Sequence, residues 1–101
     1  MPWSAERVSA TLSAILVEAL RVDPGVVTPE ARLFDDLGAE SLDILDIRFR
    51  MEQAFGFHIH EKDLFRGAVE TAGDRDLQSL LCVRHLIDYA VSRLAERVPA
   101  A

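Results

Sequence analysis

The sequence is short of several residues that cross-linked and nucleic-acid-binding proteins need. Cys82 is the only cysteine in 101 residues, which excludes an internal disulfide and is typical of a reducing compartment. Lys62 is the only lysine beside ten arginines, and the formal net charge is −6. Phosphate backbones and anionic lipid surfaces repel such a chain, so these shortages argue against a nucleic-acid-binding or membrane-surface protein.

Aromatic residues are also few, at 7%, yet half of the sequence is hydrophobic. A compact core of leucine, valine, isoleucine and alanine is therefore expected, and disorder is excluded because disordered chains combine low hydrophobicity with high charge. The length predicts one domain over residues 1–101. The most apolar early stretch, residues 14–20, contains Glu18 and is too short to span a bilayer, so we expect a cytoplasmic protein without a targeting segment.

Apolar residues recur at helical spacing in three long segments. The first predicted helix covers about residues 4–21, with Ser4 as its N-cap. The second covers about residues 41–55 and ends before a glycine, and the third covers about residues 77–97. Three long helices are therefore expected.

The segments between these helices are predicted as one short helical turn and two loops. The turn lies around residues 61–65, a long structured loop covers residues 26–38, and residues 67–76 lack a periodic apolar stripe. No segment shows the alternation of a strand. The predicted fold is an all-α four-helix bundle, with three long helices, one short helix and a long structured loop between the first two.

The predicted second helix has two apolar surfaces at about 100° per residue. One faces the core and consists of Ile44, Ile47, Met51 and Phe55. The other is rotated away from it and consists of Leu42, Leu45 and Phe49. Residues 35–63 also hold eight acidic and three basic residues, a net charge of −5. A second apolar surface within an acidic segment predicts a docking surface for basic partners. The alternative is that these three side chains belong to the core, which is the more common fate of an apolar stripe.

The residues around Ser41 give the most specific signal. Residues 37–43 read Leu-Gly-Ala-Glu-Ser-Leu-Asp, and residues 52–59 read Glu-Gln-Ala-Phe-Gly-Phe-His-Ile. This run resembles the phosphopantetheine attachment motif of acyl carrier proteins, which is usually Leu-Gly-x-Asp-Ser-Leu followed by an acidic helix and a Phe-Gly stop. Residues 86–89, Leu-Ile-Asp-Tyr, look like the start of the family's final helix. The resemblance covers most of the chain.

The resemblance implies a carrier rather than an enzyme. A 4′-phosphopantetheine arm from coenzyme A would be attached to Ser41 and would hold acyl groups as thioesters. A separate phosphopantetheinyl transferase activates the hydroxyl, so no catalytic residues are expected in the chain. The implied partners are that transferase, acyl-chain synthases and acyltransferases, which would meet a monomeric carrier through basic patches. Without the motif, a serine at this position would be read as an ordinary N-cap.

The resemblance also implies roles for residues near Ser41. The docking residues would be Glu40, Leu42, Asp43, Leu45, Asp46 and Phe49. The acyl pocket or core would be lined by Ile44, Ile47, Arg48, Met51, Ile59 and Ile87. No metal site is expected, because His58, His60 and His85 have no ligand-like spacing with carboxylates or the cysteine.

Four features depart from the family's usual pattern. Glu40 replaces an aspartate, His60 stands where proline is common, and the segment between Asp63 and Cys82 is longer than in ordinary fatty-acid carriers. Together with residues 41–47, Ser-Leu-Asp-Ile-Leu-Asp-Ile, the long segment looks similar to specialised bacterial carriers for very long acyl chains delivered to lipid A. Arg48 stands inside the apolar arc, where the family usually has an aliphatic residue beside the acyl pocket.

Arg48 has two interpretations. It could be a snorkelling side chain paired with Glu52 one turn later. Alternatively, it narrows or caps the acyl pocket, or contacts a polar acyl group or the phosphate.

The function itself also has alternatives. The main hypothesis is an acyl carrier for fatty acid or specialised lipid biosynthesis. An aminoacyl or peptidyl carrier would share the modified serine, and a helical interaction module would never carry the arm. The acidic charge and the sequence Glu-Ser-Leu-Asp favour the acyl carrier.

Overall fold

The structure is a computed structural model that describes residues 3–65 and 80–96. Its α-helices are α1 (Ala5–Leu20), α2 (Ser41–Phe55), α3 (Glu61–Leu64) and α4 (Val83–Glu96), with a 3₁₀ turn at Pro24–Val26. Within these residues the expected all-α fold is confirmed, with three long helices and one short helix. The predicted loop at residues 67–76 lies outside the described residues. No helix in the described ranges reaches the length and apolarity that crossing a membrane requires.

Helix α1 begins where the sequence places its cap and buries the expected stripe. The Ser4 hydroxyl oxygen accepts a hydrogen bond from the Arg7 backbone N–H at 3.1 Å. The helix ends at Leu20, one residue before the predicted end, because Arg21 adopts a left-handed conformation with φ 56°. The buried residues of α1 are Val8, Leu12, Ile15 and Leu16.

The long loop before α2 is held to the core by side chains and by backbone hydrogen bonds. Its buried residues are Ala31, Leu33, Leu37 and Ala39. The Leu33 N–H donates to the Leu81 carbonyl at 2.9 Å, and the Leu33 carbonyl accepts from Ala39 N–H at 2.8 Å. An antiparallel bridge joins Arg32 to Cys82. The loop is therefore fixed against the segment that precedes α4.

That pairing explains why the last helix begins at Val83 and not near residue 77 as predicted. The Leu81 carbonyl accepts from the Leu33 N–H, Cys82 lies opposite Arg32, and the Val83 N–H donates to the Ala31 carbonyl at 2.9 Å. The Cys82 N–H donates to Nδ1 of His85 at 3.0 Å, which satisfies a donor at the start of the helix. Partial burial lowers the pKa of His85, which favours the neutral ring that this bond requires.

The end of α2 packs in a cluster of aromatic rings. Gly56 ends the helix in the left-handed conformation with φ 78°, as its position after Phe55 predicted. The Phe55 ring meets Trp3 edge-on at 5.1 Å and stacks on Phe57 at 6.1 Å, while Phe57 meets Tyr89 of α4 at 6.2 Å. This cluster joins α2, the N-terminal segment and α4.

Candidate functional site

The start of α2 is capped without the Ser41 side chain. Glu40 is the N-cap residue and Ser41 is the first helical residue. The Asp43 carboxylate accepts from the Glu40 backbone N–H at 2.8 Å, and Asp43 N–H donates to the Glu40 carbonyl at 2.9 Å. The interpretation of Ser41 as an ordinary N-cap is therefore wrong, because the Asp43 side chain makes the capping hydrogen bond from the third helical position.

A glycine turn brings the chain into this helix. Gly38 has φ +74°, a left-handed conformation that residues with a side chain rarely adopt. Just before it, Leu37 N–H donates to the Arg32 carbonyl at 3.0 Å, and just after it Ala39 bonds to Leu33. The turn therefore sits between two anchored residues, and the position of Ser41 relative to the core follows from it.

The Ser41 hydroxyl lies at the surface and is not used by the fold. Ser41 is exposed, and no group within residues 3–65 and 80–96 forms a hydrogen bond with its side chain. The first backbone N–H groups of a helix lack intrahelical acceptors, and the helix dipole places partial positive charge there. A phosphate ester on this hydroxyl would therefore lie in a favourable electrostatic position.

A small open cleft lies next to Ser41. Its volume is about 60 Å³, and its lining comes from the loop, α2 and the α3 region: Phe34, Ser41, Ile44, Glu61 and Phe65. The walls are thus mainly apolar, with one carboxylate. A chemical group attached to the serine hydroxyl could contact this short apolar surface.

The predicted docking strip is exposed on α2. The exposed fractions are 76% for Leu42, 44% for Leu45 and 59% for Phe49. These residues recur at three- and four-residue spacing, so they form one continuous apolar surface beside Ser41. Large apolar side chains that are exposed next to one another are typical of interaction surfaces.

The acidic residues beside this strip are partly engaged. Asp43 caps the helix through Glu40 N–H, as described above. Asp46 accepts from Nε of Arg50 at 3.0 Å, and Arg50 also reaches Glu18 of α1 at 3.1 Å. Glu40 is exposed. The three predicted docking carboxylates therefore differ in how freely they can pair with a partner.

The residues predicted as acyl pocket or core lie mostly in the core. Ile47, Met51 and Ile59 have no exposed surface, and Ile87 is partly buried against the core. Ile44 is buried and lines the cleft beside Ser41. The cleft therefore ends near Ile44, and the deeper residues pack against one another.

Arg48 does not pair with Glu52, which corrects the first interpretation of this residue. Its Nη1 donates to the Ile59 carbonyl at 3.0 Å. The Glu52 carboxylate instead accepts from the Ile59 N–H at 2.7 Å and lies 3.1 Å from Nδ1 of His58. Both side chains thus hold the segment that leads into α3.

The histidines do not form a metal site with the other described residues. The rings of His58 and His60 meet edge-on at 4.9 Å, and His85 caps α4. No group of three or more histidine, cysteine, aspartate or glutamate side chains within residues 3–65 and 80–96 could hold a metal ion.

Comparison with known proteins agrees with this geometry. The family described as "Phosphopantetheine attachment site" matches residues 10–73. An acyl carrier protein of Thermotoga maritima is 41% identical over 71 residues, which cover 70% of this chain and 85% of that protein. The chain belongs to the acyl carrier protein family. An acyl carrier protein of Syntrophobacter fumaroxidans is 33% identical over 81 residues, covering 80% of this chain and 84% of that protein.

Membership of the acyl carrier protein family identifies the prosthetic group. A 4′-phosphopantetheine arm is attached covalently to the chain. Acyl carrier proteins are carriers on which a phosphopantetheinyl transferase and biosynthetic enzymes act. The exposed and unbonded Ser41 hydroxyl, within the matched residues, is the group on which the site hypothesis rests.

The structure adds three cleft residues that the sequence interpretation did not include. Phe34 lies in the predicted long loop, Glu61 and Phe65 lie in the predicted short turn, and the sequence interpretation gave none of them a role at the site. The spacing of Glu61 and Phe65 could have indicated that they are neighbours, because residues four apart on a helical turn lie on one face. The position of Phe34 depends on the loop pairing with residues 81–83, and no local pattern encodes that pairing.

Proposed function

We propose that Ser41 is the attachment residue for 4′-phosphopantetheine and that the chain carries acyl groups as thioesters on the thiol of that arm. The observation that carries this proposal is the Ser41 hydroxyl, exposed at the first position of α2 and released from capping by Asp43. A capping hydroxyl would have to give up its bond to be modified. This one is available without any change in the fold.

The residues at the site fit a phosphodiester. The backbone N–H groups at the start of α2 and the positive end of the helix dipole favour a negative charge at Ser41. The neighbouring carboxylate of Asp43 is directed to Glu40 N–H, which limits its repulsion of the phosphate. The arm supplies a terminal thiol for thioester chemistry, and the chain supplies its position.

The chain then acts as a single carrier domain in fatty acid or other lipid biosynthesis. Loading, elongation and transfer would be performed by partner enzymes, and the carrier itself would perform no catalysis. We infer a monomer in the cytoplasm, where these partners and coenzyme A meet the carrier.

We further propose that partners bind the exposed strip of α2. Leu42, Leu45 and Phe49 supply the apolar contact, and Glu40, Asp43 and Asp46 supply negative charge for basic patches on the transferase, synthases and acyltransferases. The net charge of −5 over residues 35–63 supports fast association with basic surfaces. Asp46 would exchange its bond to Arg50 for one to the partner, so its contribution should be smaller than that of Glu40.

Truncation of the strip should slow modification without loss of stability. We expect Leu42→Ala to lower kcat/KM for phosphopantetheine transfer about tenfold or more, because a well-packed anchor at an interface contributes about 1.4 kcal/mol or more. Its free energy of unfolding should change by less than about 0.5 kcal/mol, since the side chain is 76% exposed.

Val26→Ala is the matched control for this measurement. Val26 is a 50% exposed aliphatic residue in the 3₁₀ turn and is not part of the strip. Equal kcat/KM values for wild type and both variants would contradict docking through the strip.

The proposed function is tested by intact-mass measurement after incubation with coenzyme A, magnesium and a broad-specificity phosphopantetheinyl transferase. We expect a mass gain of one phosphopantetheine per chain, followed by a further gain when a fatty acyl ligase and a fatty acid are added. A folded protein that gains no mass with this transferase or with its native one would contradict the proposal.

A further inference from the structure

Two side chains of α2 hold both backbone polar groups of one residue. Arg48 Nη1 donates to the Ile59 carbonyl at 3.0 Å, and Glu52 Oε2 accepts from the Ile59 N–H at 2.7 Å. Arg48 and Glu52 are one helical turn apart, and Ile59 itself has no exposed surface. We call this arrangement the Ile59 clamp.

The Ile59 clamp holds the segment that leads into one wall of the cleft beside Ser41. Ile59 stands two residues before α3, and Glu61 and Phe65 of the α3 region line that cleft opposite Ile44 of α2. A cleft of about 60 Å³ is far smaller than the pockets that enclose drug-sized molecules, so a longer acyl chain can enter only if α3 moves away from α2. The clamp resists that movement.

The cost of placing Arg48 here supports a positional role. Its Nε is buried and has no hydrogen-bond partner in the part of the chain that the structure describes. An unpaired buried N–H is unfavourable, so the position of the Arg48 side chain carries an energetic cost. Its bond to the Ile59 carbonyl is charge-assisted and is stronger than a bond between neutral groups.

We propose that Arg48, acting with Glu52, determines how much of the bound acyl chain the carrier encloses. With the clamp closed, the bundle shields only the part of the chain nearest the arm, and the remainder stays available to partner enzymes. Arg48 is a positioning residue in this proposal, since it acts on the cleft through Ile59. The inference rests on the proposed carrier function.

The clamp is tested first in the unmodified protein, where the carrier function plays no part. Arg48→Met keeps an unbranched apolar stem and removes the donor to the Ile59 carbonyl. Hydrogen exchange of the Ile59 amide should become about tenfold faster, the change expected from losing a charge-assisted hydrogen bond. Glu52→Leu, which removes the other half of the clamp, should change the exchange in the same direction.

Arg84→Met is the matched control, because it also removes one arginine that pairs with an acceptor, here Glu30. It should leave exchange of the Ile59 amide unchanged. Unchanged exchange in Arg48→Met would overturn the clamp.

The consequence for cargo is tested on the carrier loaded with octanoyl and with hexadecanoyl groups. The rate of thioester cleavage by hydroxylamine reports shielding of the chain. We expect cleavage of the hexadecanoyl thioester to slow about tenfold in Arg48→Met and to stay at the wild-type rate in Arg84→Met.

The outcomes separate the two proposals. Faster exchange with unchanged cleavage would overturn the role of Arg48 in enclosing cargo while the carrier function stands. A wild-type protein that cannot be loaded at all would instead overturn the proposed function, and with it the inference about cargo.

Discussion

Ser41→Ala should abolish phosphopantetheine transfer completely. The hydroxyl is the group to which the arm would be joined, and no other serine within residues 3–65 and 80–96 combines the glycine turn, the first helical position and the exposed apolar strip found at this site. Because the hydroxyl has no hydrogen bond within the described residues, its removal should change the free energy of unfolding by less than about 0.5 kcal/mol. Intact-mass measurement and chemical unfolding check both expectations.

Ser4→Ala is the matched control for this variant. Ser4 also stands at the start of a helix, but its hydroxyl oxygen caps α1 through Arg7 N–H. This variant should be modified at the wild-type rate and should lose about 1 kcal/mol of stability, since it loses an N-cap bond. A mass gain in Ser41→Ala equal to that of wild type would place the arm elsewhere and contradict the assignment.

Leu33→Ala should be the most destabilising of the substitutions considered, at about 2–5 kcal/mol. Leu33 has no exposed surface, and truncation would leave a cavity between the loop and the core. Its backbone also bonds to both Leu81 and Ala39, so a shift of the loop would disturb the approach to Ser41 and the pairing before α4. The free energy of unfolding in urea measures the effect.

The appropriate control is Val26→Ala, because it truncates an aliphatic side chain in the same interhelical region at a half-exposed position. Its free energy of unfolding should stay within about 0.5 kcal/mol of the wild-type value. Similar losses in the two variants would mean that the loop is not anchored through Leu33, and the account of how the loop positions Ser41 would be wrong.

The sequence predicted the elements whose signals are local. Helix α1 follows from its apolar period and the Ser4 cap, and α2 follows from its core stripe and from Gly56 as its stop. The exposure of Leu42 and Phe49 agrees with the prediction of a second apolar surface rotated away from the core stripe, and it excludes the alternative that these side chains belong to the core.

Prediction from the sequence failed where the structure depends on contacts between distant segments. Helix α4 starts at Val83 because residues 81–83 pair with the loop around residue 32. The apolar period does not reveal this pairing, so the helix was predicted to start too early, near residue 77. Arg48 and Glu52 have the spacing of an ion pair within a helix. Instead, each side chain bonds to a buried backbone group of Ile59. Leaving that backbone group unpaired would be more unfavourable than an ion pair between Arg48 and Glu52 would be favourable.

The most direct test of the account is mass spectrometry of the protein isolated from the cells that make it, with fragmentation to locate any modification. We expect phosphopantetheine on Ser41 in at least part of the population, and a further mass on the thiol that corresponds to a fatty acyl group. An amino acid or peptide on that thiol would make the chain an aminoacyl or peptidyl carrier. An unmodified Ser41 throughout would contradict the central claim and favour a helical interaction module.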